Sequence, residues 1–216
     1  MIGGPGFEYV DASQPPETLP IFPLPNVVLF PNMALPLHIF EDRYKKMTAA
    51  CLEGNRLLAI PLLKKGWERG EPPEPHAVAG MGRIAQAVKL PGGQYDMVVR
   101  GVAKVRIGGT VRDFPFRVAA VEMLEDVGGD DEAARGLARR VVEKFRGALG
   151  GHGGQQGQLL AHLALLASPM DILYFVASAH PALAPEERQA LLEELDVGAA
   201  LGQLLRLLTR DAARYN

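Results

Sequence analysis

The chain has 216 residues, 48% hydrophobic and 22% charged, with a formal net charge of -2, which is the balance of an ordinary globular protein. Residues 1–126 carry 14 basic and 14 acidic side chains and residues 127–216 carry 9 and 11. Neither part has the positive excess that grips a phosphate backbone, which argues against a nucleic-acid partner. The single cysteine, Cys51, excludes an internal disulfide and a multi-cysteine zinc site.

No apolar run reaches the ~18 residues of a membrane span, so no membrane partner is expected. The amino terminus lacks the basic start and apolar run of a signal peptide, so the chain is expected to be cytoplasmic. Residues 1–18, with Gly3, Gly4, Pro5, Gly6, Pro15 and Pro16, read as a disordered tail.

From Leu19 to about Glu125 the pattern is one of short strands. Leu19 to Leu24 is apolar but broken by Pro20 and Pro23, which suits an edge strand or an extended crossing. Asn26 to Phe30 and Leu35 to Ile39 are further short runs, punctuated by Pro31 and Pro36. A helix is expected from Glu41 to Leu52, with Asp42 complementing its dipole and Tyr44, Met47 and Cys51 on one apolar stripe. Leu57 to Leu63 reads as a buried strand. Val78 to Leu90 and Tyr95 to Arg100 read as a hairpin about Pro91-Gly92-Gly93. Val102 to Ile107 and Phe114 to Val121 complete the series. Phe22 and Phe30 are expected inside the resulting small barrel or curled sheet.

Gly128-Gly129 marks a boundary, after which the period becomes helical. Ala134 to Leu149 gives one helix, ended by the glycine cluster 150–154, and Gln158 to Leu166 a second. Ser168-Pro169 with Asp171 predicts a capped start for a third, over Met170 to Ala179. Pro185 opens a fourth, to Leu195, and Asp196 caps a fifth carrying Leu201, Leu204, Leu205 and Leu208. The expected organisation is a tail over 1–18, a strand-rich part over 19–126 and an all-helical bundle over 127–216.

Several segments resemble the amino-terminal, substrate-binding domain family of Lon proteases. They are Leu19-Pro20-Ile21-Phe22-Pro23-Leu24, Val28-Leu29-Phe30-Pro31, and Leu35-Pro36-Leu37-His38-Ile39-Phe40-Glu41-Asp42-Arg43-Tyr44. Gly80 to Ile84, the hairpin arm Tyr95 to Arg106, and Pro185 to Glu193 extend the likeness over roughly residues 19–210. The resemblance implies an α+β fold: a PUA-like β-barrel (pseudobarrel) with one inserted helix, followed by an all-α bundle. It also implies contact with unfolded or tagged polypeptides, with a separate ATPase or protease as a partner. The spelling around Phe40 to Tyr44 is closer to stand-alone bacterial members.

The catalytic parts of such proteases have no counterpart in these residues. No Gly-Lys-Ser or Gly-Lys-Thr follows a glycine loop. Of the three serines, Ser13 lies in the tail, Ser168 at a helix start and Ser178 inside a predicted helix. None has an evident base beside it. His38, His76, His152, His162 and His180 form no metal-ligand spacing. No cofactor, metal or catalytic residue is therefore expected.

A polypeptide surface needs exposed apolar groups edged by polar ones. Trp67, in the charged loop Lys64 to Gly70, is the first candidate, with folding back as a lid the stronger expectation. His38, Phe40, Arg43 and Tyr44 are the others. For them the bland expectation is a satisfied structural histidine, Phe40 and Tyr44 in the core, and Arg43 paired with a carboxylate. The alternative is that they line a groove. Two other functions compete: RNA binding on a PUA-like module, and an enzyme with an unrecognised site in the barrel mouth. The charge balance disfavours the first, and no convergent polar constellation supports the second.

Overall fold

A computed structural model describes residues 16–66, 74–149 and 154–212. Most of the expected tail, the candidate Trp67 and most of the glycine connector lie outside these residues. The described chain is mixed, with an antiparallel sheet and six α-helices. In order these are β1 (Thr18–Pro20), β2 (Ala34–Ile39), α1 (Asp42–Glu53), β3 (Leu57–Ile60), β4 (Val78–Lys89), β5 (Tyr95–Arg112) and β6 (Val118–Leu124). The helices α2 (Glu132–Leu149), α3 (Gly154–Leu163), α4 (Pro169–Ala179), α5 (Pro185–Glu193) and α6 (Val197–Ala212) follow.

The sheet is organised by β5. Its first half pairs with β4 and β2, and its second half with β4 and then β6, giving the path β1-β6-β5-β4-β3 with β2 as a branch. The two expected pieces, Tyr95 to Arg100 and Val102 to Ile107, are one strand. Register shifts after Met81 and Ile84 let the hairpin bend without a break. The turn at Pro91-Gly92-Gly93 is as expected, with φ of 77° and 76° at the two glycines. The last strand starts later than its apolar letters suggest, at Val118 rather than Phe114, because Pro115 offers no ladder donor.

The path does not close into a barrel. Its two ends meet through isolated contacts only: parallel bridges Ile21–Ala59 and Leu24–Leu62, with Phe22 N–H donating to Ala59 O at 2.9 Å and Leu24 N–H to Pro61 O at 3.0 Å. Pro23, Pro25 and Pro61 remove the donors that a continuous ladder would use.

Residues 26–33 form no strand either, contrary to the apolar run Asn26 to Phe30. They cross the sheet on glycines. A Cβ on Gly80 would sit 2.0 Å from Leu29 O, and one on Gly101 would sit 2.0 Å from Phe30 O. The crossing splits the apolar core. Leu29 packs with Phe22, Ile39, Tyr44 and Met47 beneath α1. Phe30 faces the other way, 5.7 Å from the Tyr174 ring, among residues of the helical part. The expectation that Phe22 and Phe30 share one interior is thus corrected: successive residues of an extended segment point to opposite sides.

Helix starts follow local chemistry. Asp131 and Asp196 side chains accept the Ala134 and Ala199 N–H groups at 2.7 and 2.8 Å. Ser168 stands at the start of α4 without a side-chain cap bond, and Asp171 instead accepts from Asn32 Nδ2 at 3.0 Å. The expected local cap is replaced there by a long-range tie between the crossing segment and the helices.

Candidate functional site

The end of β2, the turn between β5 and β6, the start of α1 and the proline-rich segment 21–25 surround a cleft of ≈ 640 Å³. Each wall has a local cause. Segment 21–25 is held in place by the few hydrogen bonds its prolines allow, including Leu63 N–H to Leu24 O at 2.9 Å. β2 delivers His38 and Ile39, and the chain then turns at Phe40 and Glu41 into α1, which presents Arg43 and Tyr44. The β5–β6 turn contributes Asp113, Pro115, Phe116 and Arg117.

The cleft thus brings together four of the five candidate residues, His38, Phe40, Arg43 and Tyr44. Trp67, the fifth, is outside the described residues, and Leu63, four positions before it, lines the cleft.

Tyr44 is 7% exposed and meets Phe22 edge-on, with ring centroids 4.5 Å apart. Burial raises its hydroxyl pKa, and the neighbouring Arg43 charge works against that shift. Arg43 lies 4.4 Å above the Tyr44 ring and donates to Glu41 at 3.1 Å. Both match the bland expectation for these residues. Phe40 does not. It is 61% exposed, stacked on His38 with centroids 6.2 Å apart. Leu35, Leu37 and Ile39 take the inward side of β2, so the even positions, through Phe40, face outward. That parity was available in the sequence. His38 Nδ1 lies 2.6 Å from Asp96 Oδ1 with its side chain half exposed.

Phe114, at 79% exposure, is a second large aromatic left in water, at the turn beside the cleft. The Lys46 ammonium stands 5.9 Å from its ring. Arg117 pairs with Asp113 at 3.0 Å, as Arg43 pairs with Glu41. The rim is therefore charged but internally compensated, over a floor of Ile21, Phe22, Ile39 and Phe116.

Sequence reasoning missed the turn residues 113–117 and the lining role of 21–25. The signal was there in the prolines, which stop strands from pairing and leave their side chains available. Among the described residues the lining includes no serine, cysteine or lysine. Cys51 is buried in α1, and desolvation pushes its thiol up to about 11, far from nucleophilic use. Among the described residues no group of three or more His, Cys, Asp or Glu could hold a metal ion, and no helix is long and apolar enough to cross a membrane.

A family described as "ATP-dependent protease La (LON) substrate-binding domain" matches residues 18–210. Lon protease from Roseiflexus castenholzii is 31% identical over 199 residues, covering 91% of this chain and 24% of that protein. Lon protease 2 from Syntrophobacter fumaroxidans is 31% identical over 200 residues, covering 90% and 25%. The chain thus spans about a quarter of the length of these curated relatives. Two solved structures share the fold. The N-terminal domain of Mycobacterium avium complex Lon protease has a TM-score of 0.73 at 17% identity, covering 89% of this chain and 98% of that one. A Lon N-terminal domain protein from Xanthomonas campestris has a TM-score of 0.64 at 25% identity, covering 88% and 97%.

Proposed function

This chain belongs to the family of Lon protease substrate-binding domains, and from that premise we propose that it is a non-catalytic polypeptide-binding module. One observation carries the reading: exposed Phe40 and Phe114 stand beside an apolar cleft whose rim charges are already paired within the protein. Such a surface gains from covering apolar side chains, with paired charges at its edge to orient what it covers. The ligands are unfolded or tagged polypeptides. A separate ATPase or protease acts on what the module holds, in the cytoplasm. The family match supports the binding role, since the family over residues 18–210 is described as a substrate-binding domain.

On the same reading the strand-rich part, 19–126, is a PUA-like pseudobarrel and 127–216 a helical buttress. The bridges joining residues 21–24 to 59–62 support the first, as the seam of a barrel whose ladder the prolines interrupt. His38, Phe40, Arg43 and Tyr44 form the binding wall, and Trp67, four positions after the lining residue Leu63 in the sequence, is the remaining candidate.

The test is fluorescence anisotropy with a panel of labelled unfolded peptides, alongside the emission of Trp67, the only tryptophan in the chain. Phe40→Ala with Phe114→Ala is expected to weaken binding by about tenfold or more, with the denaturation midpoint unchanged. No binding across the panel, or turnover of an unfolded protein abolished by a single substitution here, would overturn the reading.

A further inference from the structure

Away from the cleft, a buried charge lies where the sheet meets the helices. Lys104, in β5, is 1% exposed. Its ammonium donates to Asp126 Oδ1 at 2.5 Å and to the backbone carbonyl of Glu194, just past α5, at 2.9 Å. It also stands 5.3 Å from the Tyr174 ring of α4. The Tyr174 hydroxyl donates to the other oxygen of Asp126. One cluster therefore joins β5, the segment after β6, α4 and the α5–α6 turn.

Beside it lies the joint between the two halves. Gly128 and Gly129 have φ of 72° and 94°, the left-handed region that only glycine enters freely. Immediately before them, Val127 bridges the α5–α6 turn: its N–H donates to Leu195 O at 2.8 Å, and Val197 N–H donates to Val127 O at 3.0 Å. The rest of the contact is a shared apolar core with neutral or more exposed polar ties: Gln189 Nε2 donates to Val78 O at 2.9 Å, Asn32 Nδ2 to Asp171 at 3.0 Å, and His76 and Lys65 lie 3.0 and 3.3 Å from Glu193 and Glu186. Val28, Phe30, Leu62 and Val78 of the strand-rich part are buried among Leu173, Val176, Leu192 and Leu201 of the helices. Apolar burial holds two surfaces together, but it is non-directional and tolerates small rotations. Hydrogen bonds to a buried charge depend steeply on distance and angle.

From this geometry we infer that Lys104, Asp126 and Tyr174 form an orientation latch across a glycine hinge: they set the angle at which the helical half sits on the sheet, while the apolar contact supplies the adhesion. Burial pushes the Lys104 pKa down from the usual lysine range, and Asp126 opposes that shift. Such a cluster is costly to bury, and replacing all of it by apolar groups of similar volume relieves that cost.

The experiment compares the full chain with the triple variant Lys104→Met, Asp126→Leu, Tyr174→Phe. Backbone residual dipolar couplings of the native chain should fit one alignment tensor for residues 18–124 and 132–212. The triple variant should remain folded, with a denaturation midpoint equal or higher. The couplings of its helical half should shrink relative to those of the sheet, the sign of two bodies moving apart in angle. A folded triple variant that still fits one tensor would overturn the latch. So would a triple variant that does not fold, since the cluster would then be the adhesion itself. The measurement involves no peptide, so it stands or falls independently of the polypeptide reading.

Discussion

Cys51 shows how one side chain can carry a measurable consequence without a functional role. It is 4% exposed, its Sγ 3.5 Å from Leu57 O, and burial lifts its pKa from 9.0 to about 11. The folded state therefore keeps a proton that the unfolded chain gives up. Its contribution to stability is complete below pH 9 and is lost as pH rises through about 11. We expect the native chain to lose roughly 2–3 kcal/mol from this site over that interval. Urea denaturation at pH 8 and pH 11 tests it: Cys51→Ala, whatever its own midpoint, should show a smaller loss between the two. Phe40 and Tyr44 teach a different lesson. They are four residues apart and both aromatic, yet one is 61% exposed and the other 7%. Phe40 continues the outward parity of β2, whereas Tyr44 falls on the inward stripe of α1.

Among the elements, the crossing segment 26–33 is the one that depends most on residues outside itself. It has no ladder, and its path is cut into the sheet by Gly80 and Gly101, where carbonyls of Leu29 and Phe30 occupy the space of a side chain. Gly80→Ala and Gly101→Ala each force backbone against backbone, and each is expected to destabilise by about 3 kcal/mol or more. Gly136, in α2, has nothing within 4 Å of an added Cβ, so Gly136→Ala should stabilise by about 0.5–1 kcal/mol. Denaturant midpoints of the three variants decide it; equal effects would contradict the crossing geometry. The segment's apolar letters suggested a strand because burial and pairing leave the same mark in a sequence. Here the burial is real, with Leu29 and Phe30 at 2% and 0% exposure, and the pairing is absent.

On the scale of the whole molecule, the strand-rich and helical parts share a core, because Val28, Phe30, Leu62 and Val78 are buried by the helices. A chain ending after Asp126 would expose those four side chains. It should therefore fail to give a sharp thermal transition and should associate on gel filtration, whereas the full chain unfolds cooperatively. A monomeric, cooperatively folding 1–126 fragment would contradict this. Much was legible beforehand: the six helices within a few residues of their ends, the β4–β5 hairpin, the change of period after Gly129, and the family itself. These rest on local signals, in periodicity, turn glycines, and prolines at fixed spacing. The cleft was legible residue by residue in His38, Phe40, Arg43 and Tyr44, but not as a cleft, since its opposite wall comes from the turn at Asp113 to Arg117, some seventy positions away. Nor could the letters show that Lys104, one basic residue among 23, would lose its water to Asp126 and Tyr174. Propensity and period act over a few neighbours and are written in the sequence. Desolvation, close approach at glycine and the meeting of distant walls depend on what the rest of the chain brings to the spot, and only the assembled fold decides them.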